Sequence, residues 1–241
     1  MDSDGATLRE RLDEVRSRIA AAERRSGRPH GAVTLVGVSK TVGAEAVREA
    51  VGLGLADLGE NRVQEAEAKI TAVGRDRARW HLVGHLQRNK AGRAVELFDR
   101  IHSVDDIELA LALSRRAGAA GRTLPVLAEV NVSGEATKFG VAPRDLEPLL
   151  ERIAALPGLR LDGLMTVGPP VDVPGEARAG FERLRELRDR AERALGLRLP
   201  ELSMGMSGDF EVAVEEGSTL VRVGTAIFGS RPAGSESTRP A

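Results

Sequence analysis

Eight short strand-like runs, the first of them, Val33–Val38, apolar and rich in β-branched residues, alternate along this chain with stretches of helical periodicity, and few folds accept that alternation. The runs predict strands at Val33–Val38, Leu55–Leu58, Arg79–Val83, Asp99–Ser103, Leu124–Val132, Leu159–Met165, Glu201–Met204 and Ser218–Val223. Between them, helices are predicted over residues 43–53, 64–73, 84–97 and 104–116, from Pro143 onward, around Phe181–Ala194, and over 209–216. Strands separated by helices pair in parallel, and eight such units close as a (β/α)8 barrel in about 250 residues. The chain has 241. Leu8, Leu12, Val15, Ile19 and Ala22 recur at spacings of four, three, four and three, which adds an amphipathic helix over 7–25 ahead of the first strand. The fold class read from these residues is therefore α/β: a single TIM-type barrel over residues 1–229 with an extra N-terminal helix. Ser230–Ala241, rich in Ser, Pro and Gly, is expected to be a disordered tail. A two-domain Rossmann arrangement is the structural alternative, but no G-x-G-x-x-G follows the first strand.

Composition narrows the chemistry. There is no Cys, which removes disulfides, thiolate metal sites and a cysteine nucleophile. There is no Tyr, so no phenol can act as an acid or a base. Histidine occurs only at positions 30, 81, 85 and 102, and no metal site is expected. The formal net charge of −1 supplies no field that would draw the protein to nucleic acid or a membrane. No apolar stretch reaches the length of a membrane span, and the start, Met1-Asp-Ser-Asp-Gly5, is acidic. A soluble cytoplasmic protein is expected.

Lys40 stands just past the first strand, at the strand end where barrels meet their ligands. A lysine there is commonly a solvated loop charge; held in a pocket, its amine condenses with carbonyl compounds. The chain keeps four Lys, at 40, 69, 90 and 138, so 31 of its 35 Lys plus Arg residues are Arg. Arg has no free amine to condense, which singles out the few lysines retained. Lys69 and Lys90 fall on polar helix faces and are expected only to solvate.

The loops after strands seven and eight commonly form the phosphate site of such a barrel. Here they read Ser203-Met-Gly-Met-Ser-Gly-Asp209 and Arg222-Val-Gly-Thr225. Small residues let phosphate approach backbone N–H groups, and Ser and Thr hydroxyls add donors. Ordinary turn chemistry would account for either loop alone. Both loops together, beside a strand-end lysine, favour a ligand that carries a phosphate and a carbonyl, and pyridoxal 5′-phosphate (PLP) carries both.

Six blocks, in order from strand one to strand eight, carry a family resemblance. They are Val38-Ser-Lys-Thr41, Gly59-Glu-Asn-Arg-Val-Gln-Glu65, Trp80-His-Leu-Val-Gly-His-Leu-Gln87, Gly163-Leu-Met-Thr166, Ser203–Asp209 and Val221-Arg-Val-Gly-Thr-Ala-Ile-Phe-Gly229. Together they resemble the PLP homeostasis protein family, the proline synthetase co-transcribed homologues, related to the barrel domain of alanine racemase and its type III PLP fold. The resemblance implies a cofactor, PLP, covalently held as a Schiff base on Lys40. It implies phosphate contacts from Ser207, Gly208, Gly224 and Thr225, Arg222 facing the pyridine nitrogen, and Asn61 beside the ring. Ser203, Met204 and Met165 would line the pocket.

An arginine at the ring nitrogen keeps that nitrogen unprotonated and weakens the ring as an electron sink. Racemases of this barrel class also use a tyrosine from a second domain, and this chain has neither the Tyr nor the length. The function expected is a non-catalytic, PLP-binding protein of vitamin B6 homeostasis, monomeric, that delivers PLP to apo PLP-dependent enzymes. The alternative is a minor PLP-dependent amino-acid racemase, for which His81 is the candidate second base, with His85 packing in its loop. Lys138, in the loop after strand five, is a candidate for assisting phosphate capture.

Overall fold

The computed structural model describes residues 6–135, 137–168 and 173–229. Eight strands form: β1 (Thr34–Val38), β2 (Asp57–Glu60), β3 (Arg79–Leu82), β4 (Arg100–Val104), β5 (Leu124–Glu129), β6 (Leu159–Met165), β7 (Glu201–Ser203) and β8 (Leu220–Val223). Each pairs in parallel with the next, and β8 returns to β1 with Val36 opposite Arg222, closing the barrel. Helices α2 (Ala44–Gly52), α3 (Val63–Val73), α4 (Ala91–Leu97), α5 (Ile107–Ala119), α6 (Leu146–Ala154), α7 (Arg178–Leu195) and α8 (Phe210–Glu215) follow β1 to β7 in turn, and a single turn, α9 (Thr225–Phe228), follows β8.

Strand alternation sends side chains to two destinations. Outward residues such as Leu58, Leu82, Leu164 and Leu202 pack under the helices in two extended apolar clusters. Inward, Val36, Leu127, Met165 and Leu220 meet from four strands as a small apolar plug. Polar side chains also enter the interior, among them His81, His102, Ser203 and Arg222. At the N-terminal ends of the strands, Asp57 pairs with Arg79, and Arg100 pairs with Asp162 and Glu201, so charged groups close that mouth.

The N-terminal helix α1 (Leu8–Arg25) begins with a capping box between Thr7 and Glu10. It lies against α8 and α9, outside the seam between β8 and β1. Arg11 donates to the Ile227 carbonyl, and Arg18 pairs with Glu211 while lying over the Phe210 ring. Buried Glu23 accepts the N–H groups of Gly31 and Val33, fixing the entry to β1.

Several boundaries differ from the sequence expectation. β2 starts two residues late because Leu55 packs in the outer core from the preceding turn, while the strand itself is the polar run Asp57-Leu-Gly-Glu60. β5 ends at Glu129, and Val130 makes only a bridge to Val141. The helix expected from residue 84 begins at Ala91, after a 3-10 turn over Arg88–Lys90. The tail expected at Ser230–Ala241 and part of the connection after Thr166 lie outside the described residues.

Candidate functional site

Lys40 is exposed immediately beyond β1, and among the described residues it takes part in no ion pair. The next residue, Thr41, has φ of 65°, a left-handed conformation that a β-branched residue adopts only when its surroundings impose it. The turn is anchored from below. Ser39 is buried, its N–H bonds to the Gly59 carbonyl, its hydroxyl donates to Glu60, and its carbonyl accepts from Lys69 Nζ. Lys69 is thus corrected from a solvated helix charge to a buried one, paired with Glu60 at 2.6 Å. Periodicity placed it on a polar face; that face turns inward onto a buried carboxylate.

The loops after β7 and β8 come together next to this turn. Ser207 Oγ accepts the N–H groups of Gly224 (3.2 Å) and Ala226 (3.3 Å). Gly224 lies so close to β1 that a Cβ there would stand 3.1 Å from the Val38 carbonyl. Gly208 and Thr225 are exposed beside them, and a Cβ on Gly208 would meet nothing within 4 Å. Gly205, with φ of 92°, lets the first loop turn against α8, since a Cβ there would fall 2.5 Å from that of Ala213. Asp209 Oδ1 accepts the Met206 N–H at 2.6 Å and closes the loop.

Arg222 projects into the barrel and is 4% exposed. It donates from Nη1 to Ser203 Oγ (2.7 Å) and from Nη2 to the Thr166 carbonyl (2.8 Å). Burial lowers its pKa to about 10, against the pull of Glu129 and Asp209, so the guanidinium stays charged at neutral pH. Ser203 in turn contacts His102 Nδ1 at 2.8 Å, His102 Nε2 lies 2.9 Å from His81 Nδ1, and His81 Nε2 lies 3.0 Å from Asp57. His81, expected as a candidate second base, is therefore engaged deep in the barrel interior.

The other expected residues fall in different places. Asn61 follows β2 directly, and its backbone is so close to Gly84 that a Cβ on Gly84 would stand 2.5 Å from the Asn61 carbonyl oxygen. Met165 lies in the interior plug. Met204 does not point inward: strand alternation puts it in the outer layer with Leu164, Leu202 and Ala213, in contrast to the expectation that it lines the pocket. His85 stacks on Phe139 at 3.9 Å and lies 3.8 Å from Asp105. Lys138 pairs with Glu135 at 2.8 Å.

One group escaped sequence reasoning. Glu129, at the last position of β5 and paired in register with Met165, is buried with Oε2 unpartnered. Burial pushes its pKa up to about 7, with Asp105 adding to the rise and Arg222 opposing it. An acid that ends an apolar strand gives no signal of its own; its register opposite Met165 is what places it.

The C-terminal mouth thus presents a free amine on β1, a neighbouring cup of small residues and hydroxyls from the β7 and β8 loops, and a fixed cation beneath. That set suits a planar ligand with an aldehyde and a phosphate: the open space over Gly208 and the tethered Gly224 and Ser207 leave room and donors for the anion. Residues 11–232 match the family model described as alanine racemase, N-terminal domain. The chain is 46% identical over 222 residues, 92% of this chain and 97% of the relative, to a pyridoxal phosphate homeostasis protein of Aquifex aeolicus. It is 45% identical over 229 residues, 95% of this chain and 98% of the relative, to one of Pseudomonas aeruginosa. Its structure superposes on that of PipY of Synechococcus elongatus with PLP bound, with a TM-score of 0.80, 41% identity, and coverage of 92% and 100% of the two chains.

Proposed function

The chain belongs to the pyridoxal phosphate homeostasis protein family, built on the alanine racemase N-terminal domain, and from that premise we propose that it holds PLP reversibly on Lys40 and serves as a non-catalytic carrier of the cofactor. The observation that carries this reading is the adjacency of the exposed Lys40 amine to the tethered Ser207–Gly224 loops, across the β1–β8 pair. Bound here, PLP would supply an aldehyde that condenses with an amine with loss of water and is released by hydrolysis, and Lys40 would be the residue to hold it.

The chain's own residues do the rest. Gly208 and Thr225 offer backbone N–H groups and Ser207 and Thr225 offer hydroxyls to the phosphate, and the Gly224 N–H, held by Ser207 Oγ, can join them by exchanging that bond. Arg222, locked by Ser203 and Thr166, presents a cation where the ring nitrogen would sit, which opposes protonation there. Asn61 and Met165 bound the ring. Ser39, Lys69 and Glu60 hold the turn that carries Lys40.

A carrier also fits what is missing. The chain has no Tyr and no Cys. His81 and His102 are consumed in interior hydrogen bonds, and His85 in its stack on Phe139. Recipients are apo PLP-dependent enzymes, the protein acts as a monomer in the cytoplasm, and among the described residues no helix is long and apolar enough to cross a membrane. The test is titration of the purified protein with PLP, read by its visible absorption band. Lys40→Ala is expected to abolish the band of the lysine-bound form, and retention of the band in that variant would overturn the reading. Incubation with amino acids in deuterated solvent is expected to leave Cα hydrogens unexchanged; exchange would restore the racemase alternative.

A further inference from the structure

We propose that Asp57, His81 and His102 are positioning residues for Arg222, joined to it through Ser203 in a one-way hydrogen-bond chain that runs inside the barrel from the charged N-terminal mouth to the ligand end. The distances are 3.0, 2.9, 2.8 and 2.7 Å from Asp57 upward, and all five side chains are buried.

The two ends fix the polarity of the chain. Asp57 also accepts two N–H groups from Arg79, and although burial works against it, the hydrogen bonds of His81 and Arg79 bring its pKa to about 2. It is a carboxylate and only accepts, so His81 carries a proton on Nε2. Arg222 has only donors, so Ser203 Oγ accepts from it. Between them, burial holds the pKa of His102 well below the ordinary imidazole value, with the charges of Arg222 and Arg100 acting the same way. A neutral His102 then gives its Nε2–H to His81 Nδ1 and takes the Ser203 hydroxyl proton on Nδ1. Every bond in the chain points from Arg222 towards Asp57.

The opposite assignment fails on counting. If His81 carried two protons, it would donate from Nδ1 to His102 Nε2, and His102 would donate from Nδ1 to Ser203. Ser203 Oγ would then lie between two donors, and its own proton would have no acceptor, since His102 and Arg222 are its two side-chain partners. A buried hydroxyl left so is destabilising. The charged groups around the two rings are Asp57 on β2, Arg79 on β3, Arg100 on β4 and Arg222 on β8, and Arg100 is itself neutralised by Asp162 and Glu201.

What the chain achieves follows from Arg222 being a buried cation that makes no ion pair among the described residues. Its Nη1 is directed by an oxygen whose proton is drawn towards a carboxylate three groups away, which makes Ser203 a better and better-aimed acceptor. Arg222 is thereby held to one rotation, and the Asp57 charge at the far mouth biases it. The effect on ring nitrogen rests on the reading that PLP binds here; the hydrogen-bond chain does not.

Two measurements test this. In the full-length protein without PLP, ¹⁵N–¹H correlation of the imidazoles at pH 7 is expected to show His81 and His102 neutral, each with its proton on Nε2. A ring protonated on Nδ1, or on both nitrogens, overturns the proposal, whether or not PLP binds. In the loaded protein, His81→Leu removes the acceptor for His102, and Asp57→Asn keeps a hydrogen bond while removing the charge. Each variant, once shown to fold, is expected to shift the visible band of bound PLP and to weaken its binding, by about tenfold for His81→Leu. Borohydride should still fix the cofactor on Lys40. Folded variants with unaltered band and affinity overturn the proposal. A wild-type protein that binds no PLP overturns the carrier reading instead and leaves the tautomer result standing. If neither variant folds, the tautomers decide.

Discussion

Lys69 Nζ donates to Glu60 Oε1 across 2.6 Å, with Lys69 8% exposed and Glu60 fully buried, directly under the turn that bears Lys40. Burial raises the pKa of Glu60, and the hydrogen bonds from Lys69 and Ser39 oppose that rise, so its charge depends on the ammonium. Removing one partner leaves the other charge buried alone. Lys69→Met is expected to destabilise the protein by about 3–5 kcal/mol in denaturant unfolding, and pairing it with Glu60→Leu is expected to recover most of that loss. Lys69→Arg should not substitute fully, because the guanidinium cannot place a compact donor on both Glu60 and the Ser39 carbonyl.

Thr41 holds Lys40 in place at the expense of a left-handed backbone, a conformation that costs a β-branched residue about 1–3 kcal/mol. Thr41→Gly removes that strain and frees the turn. The variant is expected to be at least as stable as the parent and to bind PLP more weakly. A loss of stability comparable to a core truncation would show that the turn is unstrained.

Gly84 and Asn61 touch backbone to backbone. Gly84→Ala places a Cβ 2.5 Å from the Asn61 carbonyl oxygen and 2.8 Å from its Cα, so the Asn61 segment must move. Overpacking of this kind costs about 1–3 kcal/mol. The displaced segment follows β2 directly, so PLP affinity is expected to fall along with the melting temperature. Gly208→Ala, where a Cβ meets nothing, should leave the melting temperature unchanged and still weaken binding by occupying the space assigned to the phosphate.

Glu129 makes stability pH-dependent. Its folded pKa of about 7 lies above its ordinary value of 4.5, mainly through burial, so the folded state retains a proton that the unfolded state has lost. The stabilisation is complete below about pH 4.5 and disappears as pH rises through 7, by up to roughly 3 kcal/mol. Glu129→Gln is expected to flatten this part of the stability profile and to raise stability at pH 8. A profile that keeps its slope in the variant would assign the titration to another group.

The barrel was legible because its signal is periodic. Eight short strand-like runs alternating with helical stretches leave one parallel architecture at this length, and the amphipathic α1 declared itself through Leu8, Leu12, Val15 and Ile19. That the β7 and β8 loops lie beside the turn bearing Lys40 was legible because strand ends of a barrel converge, whereas Arg222 entered only through the family resemblance. Residues whose role depends on facing direction were not. Met204 reads as part of a pocket motif and packs outward, because strand alternation reverses direction between it and Ser203. Lys69 reads as a surface charge, because its partner Glu60 lies nine positions away on a strand whose boundary was placed two residues early. The His81–His102 contact joins two strands 21 residues apart, and only the parallel register brings them together.

The most direct measurement is borohydride reduction of the PLP-loaded protein, followed by peptide mass mapping. Four lysines make the assignment simple, since Lys69 is buried against Glu60 and Lys138 is paired with Glu135. The expected result is a single reduced pyridoxyl group on the peptide containing Lys40. Label on any other lysine, or a protein that remains colourless and unlabelled after incubation with PLP, would contradict the site.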